Sequence, residues 1–346
     1  MNILIDVGHP AHVHLFRNAA RILMNRGHRV LFAARDRELI AELITNYGFE
    51  YQYVSKARSG LPGLFYELIE HDWNLFRLAK RFKADLLMGT SVSITHVSKL
   101  MRAKSIVFNE DDIDYLKSFA LLAYPFADAI VIPDSLRDKR TNKYITYAGY
   151  QELAYLHPNR FTPDPKVFDE LGINGNDKYF VIRLVAFKAH HDVGKKGISN
   201  TAAHRLIDLL SRHGKVFITS EDLFSEAYNS YKIPVSPDRI HHVLNYADML
   251  ISDSQTMTVE AAVLGTPAIR YDTFGGLVSY VKELESKYGL VYNFLPECEE
   301  QMFIKIKELL ETPDLKTKWS IKCRKMLADK IDLTPWMVQL IENFPA

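Results

Sequence analysis

Small hydroxyl and amide residues crowd one strand–helix junction of this 346-residue chain: Ser254, Gln255, Thr256 and Thr258, with Glu260 six positions after Ser254. The helix start that follows offers free N–H groups and the positive end of a dipole, which together favour an anion. Glu260 falls in the first helical turns, where a carboxylate can accept hydrogen bonds from a vicinal diol such as a ribose. The same residues serve equally well as ordinary N-capping with a dipole-complementing acid, and both readings stand on the residues alone. Three imidazoles, His9, His12 and His14, follow the first β-branched run. They read either as cleft-facing groups or as helix caps and packing. Their i, i+3, i+5 spacing does not put all three on one helix face, so no metal site is expected. Asn109-Glu-Asp-Asp112 closes another strand, where adjacent carboxylates can act as acid or base or can cap the next helix. Arg183 ends a further strand. Lys188, His190, His191, Lys195 and Lys196 then fall in a loop with two glycines, either an anion-binding lid or a solvated basic segment. Asp272 opens a turn that runs through Gly275 and Gly276.

All of these residues need strand ends to carry them. Short apolar, β-branched runs at 3–7, 29–33, 51–54, 85–88, 105–109 and 129–132 alternate with helical patterns at 13–25, 38–47, 64–82, 92–102 and 115–124. That alternation predicts βαβ units and a parallel sheet. Prolines, glycines and asparagines crowd residues 150–177, as an interdomain segment would. A second alternation follows, with strands at 179–184, 215–219, 249–252 and 267–271, helices at 201–212, 258–264 and 277–288, and a helical remainder from 299 to 343. At roughly 150 residues per domain, two domains are expected. The reading is α/β: two doubly wound Rossmann-like domains, 1–155 and 156–330, facing a cleft. C-terminal helices complete it, with segment 331–346 packing back on the first domain. Ligands of open α/β sheets bind beyond the carboxyl ends of the strands, so the cleft is the expected site.

Composition narrows the class. With 47% apolar and 25% charged residues the chain is an ordinary globular one. Lys and Arg total 43 against 42 Asp and Glu, a net charge of +1, which argues against a nucleic-acid binder. Cys298 and Cys323 form no CxxC pair, so a reducing compartment is expected and a thiolate metal site is not. No run approaches the roughly 18 apolar residues of a membrane span, and the amino terminus lacks a signal-peptide pattern. Residues 61–83 mix Leu64, Phe65, Leu68, Trp73, Leu75 and Phe76 with Arg77, Lys80, Arg81 and Lys83. That pattern either rests on anionic lipid or packs in the core with a solvated face. A cytoplasmic protein is the expectation, with peripheral contact at the inner face of the membrane left open as an alternative.

Two stretches carry a resemblance. Ser254-Gln-Thr-Met-Thr-Val-Glu260, with Ala-Ala-Val-Leu-Gly-Thr-Pro behind it, resembles the nucleotide-binding signature of GT-B-type enzymes, in particular UDP-N-acetylglucosamine 2-epimerases and related glycosyltransferases. Ala11-His12 with Arg26-Gly-His28-Arg-Val30 resembles the opening of GT-B glycosyltransferases. The resemblance spans nearly the whole chain and is strongest to a family of predicted glycosyltransferases within that superfamily. It implies a GT-B fold, phosphate contacts from Ser254, Gln255 and Thr256, a ribose contact from Glu260, a basic diphosphate contact from Arg183, and a donor-facing turn at Asp272. The catalytic histidine of the resembled enzymes falls on His12. Of three acids expected in an epimerase, only Glu110 has a counterpart; Thr90 and Tyr124 stand near the others.

The expected activity is therefore an inverting, metal-independent glycosyltransferase using a nucleotide-diphosphate sugar, with a UDP-sugar as donor and a glycan or lipid-linked acceptor. His12 would be the base, supported by Glu110 or Asp111. The 254–258 helix start and Arg183 would stabilise the leaving diphosphate. His9, His14 and Lys188 are further cleft candidates. No cofactor or metal is expected, and a homodimer is a candidate assembly. The alternative activity is a sugar-nucleotide epimerase or hydrolase.

Overall fold

The computed structural model describes residues 1–345 except 37, 57, 59, 137–140, 186–196, 221–225 and 274–277. It divides into two compact units, residues 1–160 with 330–346, and residues 161–329.

The first unit is built from β1 (Asn2–Val7), α1 (Pro10–Asn25), β2 (Arg29–Asp36), α2 (Glu38–Asn46), β3 (Tyr51–Lys56), α3 (Leu61–Phe82), β4 (Leu86–Gly89), α4 (Ser93–Met101), β5 (Lys104–Phe108), α5 (Lys117–Ala123), β6 (Ala129–Pro133), β7 (Tyr144–Tyr147) and α6 (Leu153–Leu156). Its seven strands lie in the order β3-β2-β1-β4-β5-β6-β7, all parallel. Ile3, Leu4, Ile5 and Val7 of β1 are wholly buried, as a central parallel strand covered on both faces requires. The chain winds outward from β1 to β3, crosses over through α3, and winds the other way from β4. The strand order therefore reverses between β1 and β4, leaving an open crevice at their carboxyl ends.

The second unit comprises α7 (Val167–Glu170), β8 (Tyr179–Leu184), α8 (Asn200–Leu210), β9 (Lys215–Ser220), α9 (Ile240–Tyr246), β10 (Met249–Ser252), α10 (Gln255–Leu264), β11 (Ala268–Tyr271), α11 (Ser279–Ser286), β12 (Val291–Phe294), α12 (Glu299–Glu311) and α13 (Leu315–Asp329). The order β12-β11-β10-β8-β9, again all parallel, reverses between β8 and β10. The last helix, α14 (Leu333–Glu342), belongs to the first unit. Thr334 Oγ1 donates to the Ala154 carbonyl at 2.5 Å, and Asp332 accepts from Arg160 Nε at 2.8 Å.

Five elements escape the sequence reading: β7, α6, α7, α9 and β12. The two strands are four-residue edge strands with mostly half-buried side chains, too short and too weakly apolar to show a period. The first helix also begins earlier than the apolar pattern indicates. His9 caps it by accepting from the Ala11 N–H at 3.2 Å, and Pro10 occupies the first turn, where its missing N–H costs nothing. Among the described residues, no helix is long and apolar enough to cross a membrane.

Candidate functional site

Each reversal of strand order carries a group of polar side chains. In the second unit Arg183, at the end of β8, lies in register with Ser252 of β10 and Thr219 of β9, and its Nη1 donates to Thr219 Oγ1 at 3.1 Å. Directly beyond β10, Ser254 caps α10 with extended backbone, accepting from the Met257 N–H at 3.4 Å. Gly265, at φ 80°, terminates the same helix in the left-handed region. Gln255 and Thr256 sit half-buried in the first turn, where Gln255 Nε2 donates to Tyr280 Oη at 2.8 Å. Arg183, Ser254, Gln255 and Thr256 thus gather at a helix amino end.

The remaining candidates of this unit turn inward. Thr258 is wholly buried and donates its hydroxyl to the Ser254 carbonyl at 2.7 Å, so it closes the cap and has no surface to offer a phosphate. Glu260 is 4% exposed and takes a 3.0 Å bond from His241 Nε2, which is itself buried on α9. A ribose contact there would have to share or displace that histidine. Asp272 is buried and bridged to the equally buried Arg270 at 2.8 Å, which makes it the counter-charge of a core arginine. Lys188 lies outside the described residues. One residue that the sequence reading passed over stands at the centre of the group. Asp253 accepts from the Val185 N–H at 2.7 Å and the Ile198 N–H at 3.1 Å. Burial pushes its carboxyl up to about 7, against those two N–H donors and the charge of Arg183.

In the first unit the crevice between β1 and β4 is a cavity of about 310 Å³. Asp6, Gly8, Thr90 and Ser91 line it from the ends of β1 and β4, His12 from the start of α1, Arg35 from β2, and Leu64, Glu67, Leu68 and His71 from α3. Gly89 has no room for a side chain, because a Cβ there would lie 2.4 Å from the Asp6 carbonyl oxygen. That close approach brings the β4 loop against His12. Thr90 Oγ1 is 2.7 Å from His12 Nε2, and the Gly8 N–H donates to His12 Nδ1 at 3.3 Å. Enclosure holds His12 down to about 3, helped by His9 and Arg35 and opposed by Asp6, so the ring is neutral at ordinary pH.

Beneath His12 is a buried charge cluster that sequence patterning did not single out. Asp6 is 1% exposed, and its Oδ2 accepts from His71 Nε2 at 2.9 Å and from the Ser91 hydroxyl. His71 Nδ1 in turn meets Ser55 Oγ at 2.8 Å. Burial alone would raise the Asp6 carboxyl, but the charge and hydrogen bond of His71, with Ser91, hold it below the usual range. Burial opposes protonation of His71, and Asp6 overcomes it, raising His71 above its ordinary value. Arg35 pairs with Glu67 alongside. An acid in the middle of a core strand was the available signal, since a lone charge in a β-branched run must have a partner.

The other first-unit candidates lie elsewhere. The His9 ring is 5.8 Å from His12, whereas His14 is buried on another face of α1, 5.3 Å from the Tyr155 ring and 3.1 Å from Tyr47 Oη. Residues two positions apart on a helix differ by about 200°, so His12 faces the cavity and His14 the core. Glu110 and Asp111 do not line the cavity that holds His12. Asn109 and Asp111 instead close a local turn, with Asn109 Nδ2 donating to the Asp111 carbonyl at 2.6 Å. Glu110 is near enough to Tyr147 to help raise its phenol. Among the described residues no three His, Cys, Asp or Glu side chains converge as a metal site.

Two doubly wound parallel units, each with its polar residues at a reversal of strand order, make up a GT-B fold. Solved structures agree. Among those similar over 99% of this chain are an S. aureus MnaA–UDP co-structure (96% of that chain, TM-score 0.69, 11% identity) and the spinosyn forosaminyltransferase SpnP (100% of that chain, TM-score 0.65, 14% identity). The UDP-GlcNAc 2-epimerase of Neisseria meningitidis bound to UDP-GlcNAc is similar over the same 99%, with 100% of that chain covered, a TM-score of 0.64 and 14% identity. The chain itself belongs to the family described as "Protein of unknown function (DUF354)", which it matches over residues 1–282. No curated protein matches it in sequence.

Proposed function

We propose that the protein is an inverting, metal-independent glycosyltransferase with a UDP-sugar donor and a glycan or lipid-linked acceptor. The observation that carries this reading is the amino end of α10, capped by Ser254 and flanked by Arg183 at the strand reversal of the second unit. N–H groups, a helix dipole and a guanidinium together stabilise a departing diphosphate without a metal. Similar folds solved with UDP and UDP-GlcNAc support the same ligand class.

In this reading His12 takes the proton of the acceptor hydroxyl while that oxygen bonds to the anomeric carbon and the bond to the diphosphate breaks. The neutral ring has the required protonation state, and the Asp6 charge, which already acts to raise His12, is the counter-charge for the imidazolium that forms. Transfer is favoured over epimerisation because the end of β4 carries the hydroxyls of Thr90 and Ser91 where an epimerase-like acid is expected, and the crevice carboxylates, Asp6 and Glu67, are paired with His71 and Arg35.

Calorimetric titration with UDP, TDP, GDP and the corresponding sugar nucleotides tests the proposal. UDP should bind, and Arg183→Ala should weaken UDP more than uridine. Absence of binding by every nucleotide at millimolar concentration would sink the reading.

A further inference from the structure

The outer face of α3 carries a surface that neither group of site residues uses. Among the described residues fifteen large apolar side chains are exposed, and eight of them lie on α3, α4, α5 and the turn after α5. Phe65, Ile69 and Trp73 follow one another at i, i+4 and i+8 along α3, at 68%, 53% and 61% exposure. This is not a loosely held helix, because its inner side buries Glu67, His71, Leu75, Leu78 and Ala79. The patch continues across its neighbours. Asp72 of α3 bonds His96 of α4 at 2.8 Å, and His96 donates to the Leu122 carbonyl of α5 at 3.1 Å with the exposed Phe126 ring edge-on to it. Core packing thus accounts for one side of α3 and leaves its aromatic stripe outside.

Further along the same outer face the character changes from apolar to basic. Arg77, Lys80, Arg81 and Lys83 are exposed, and residues 77–83 contain no acid. Glu70, Asp72 and Asp128 pair with Arg58, His96 and Lys99, and Asp85, two residues beyond Lys83, accepts from the Asn2 N–H. In a chain of net charge +1 this is a local concentration of positive charge.

We propose that this face docks on an anionic lipid surface, with Phe65, Ile69 and Trp73 entering the headgroup–acyl boundary and the Arg77–Lys83 cluster meeting lipid phosphates. The charge pattern selects this occupant over a second copy of the chain. A two-fold dimer through this face would set the basic cluster against its own image or strip its water on the partner's aromatic half, whereas a bilayer offers phosphate and hydrocarbon side by side. The inner side of the same helix lines the cavity through Leu64, Glu67, Leu68 and His71, so docking holds that cavity about one helix diameter, roughly 10 Å, from the interface. The surface stands on its own exposure and charge and does not depend on the transferase reading.

Co-sedimentation of the full chain with phosphatidylcholine vesicles, with and without phosphatidylglycerol, tests the proposal. Binding should require phosphatidylglycerol and weaken with salt, and Trp73 emission should shift to the blue. Phe65→Ser with Trp73→Ser, and separately Arg77→Glu with Arg81→Glu, should each lower the apparent affinity by about tenfold or more. Both pairs change exposed side chains, and unchanged melting temperatures show that the fold is kept. Failure to bind the anionic vesicles overturns the proposal, as does binding that neither variant weakens. A dimer in sedimentation velocity that Trp73→Ser dissolves, with no vesicle binding, assigns the face to a second copy instead.

Discussion

Replacing His71 by leucine should leave the Asp6 carboxylate buried at 1% exposure with its main counter-charge removed. Ser91 still donates to Asp6, but a hydroxyl cannot balance a full charge, and removing one partner of a buried pair costs about 3–5 kcal/mol. For a unit of this size, each kcal/mol moves the melting temperature by about 2–4 °C, so calorimetry should show the first unit melting about 6–20 °C early. Adding Asp6→Asn to His71→Leu removes the stranded charge and should recover about half of the loss, a coupling that a cavity or packing defect would not produce. The pH dependence follows from the two shifts. His71 is raised above 6.5, so its contribution is complete below that pH and fades as pH rises through the folded value. Asp6 is lowered below 3.8, so its contribution is complete above that pH and is lost as pH falls through the folded value. The penalty of His71→Leu should therefore be greatest between these limits. A His71→Leu protein that melts with the parent, or a double variant no more stable than the single, would refute the charge-pair argument.

His12, held near 3 in the fold against 6.5 when free, binds its proton more readily in the unfolded chain, so acid should cost the native protein at most about 2 kcal/mol between pH 6.5 and 5. His12→Gln should flatten that part of the stability curve, and a parent with no acid slope there would count against the assignment. If His12 is the base, His12→Ala should slow transfer by about 10²–10⁴-fold with donor affinity unchanged, and the parent rate should show no inflection near 6.5. Asp253 is raised to about 7, so its contribution is present at low pH and falls as pH rises from 3.8 through 7, by about 2–4 kcal/mol; Asp253→Asn should remove that slope, as urea melts at pH 5 and 8 would show. Gly89→Ala, which forces a methyl against the Asp6 carbonyl, should destabilise the first unit by about 1–3 kcal/mol in the same melts, and a neutral outcome would contradict the close packing of β1 on β4.

The α/β class and the junction at Ser254 were legible because their signals are local. A buried parallel strand writes a β-branched run into the chain, and a capped helix writes Ser254 before it and Gly265 after it. The edge strands β7 and β12 left no such mark, since a few half-buried residues carry no period. Side-chain direction was harder still. Residue type does not separate His12 from His14, and only the resemblance singled out His12; the turn of α1 sends one to the cavity and the other against Tyr155. Thr258, Glu260 and Asp272 have the right types for a ligand site, but the fold turns them onto Ser254, His241 and Arg270. Asp6, Ser55, His71 and Ser91 come from three strand ends and a helix, and only the crossover through α3 and the β1–β4 reversal bring them together. Spacing along a chain records the neighbours within one element. Contacts between residues 65 or 85 positions apart depend on which strands lie side by side, and that is settled by packing the whole sheet.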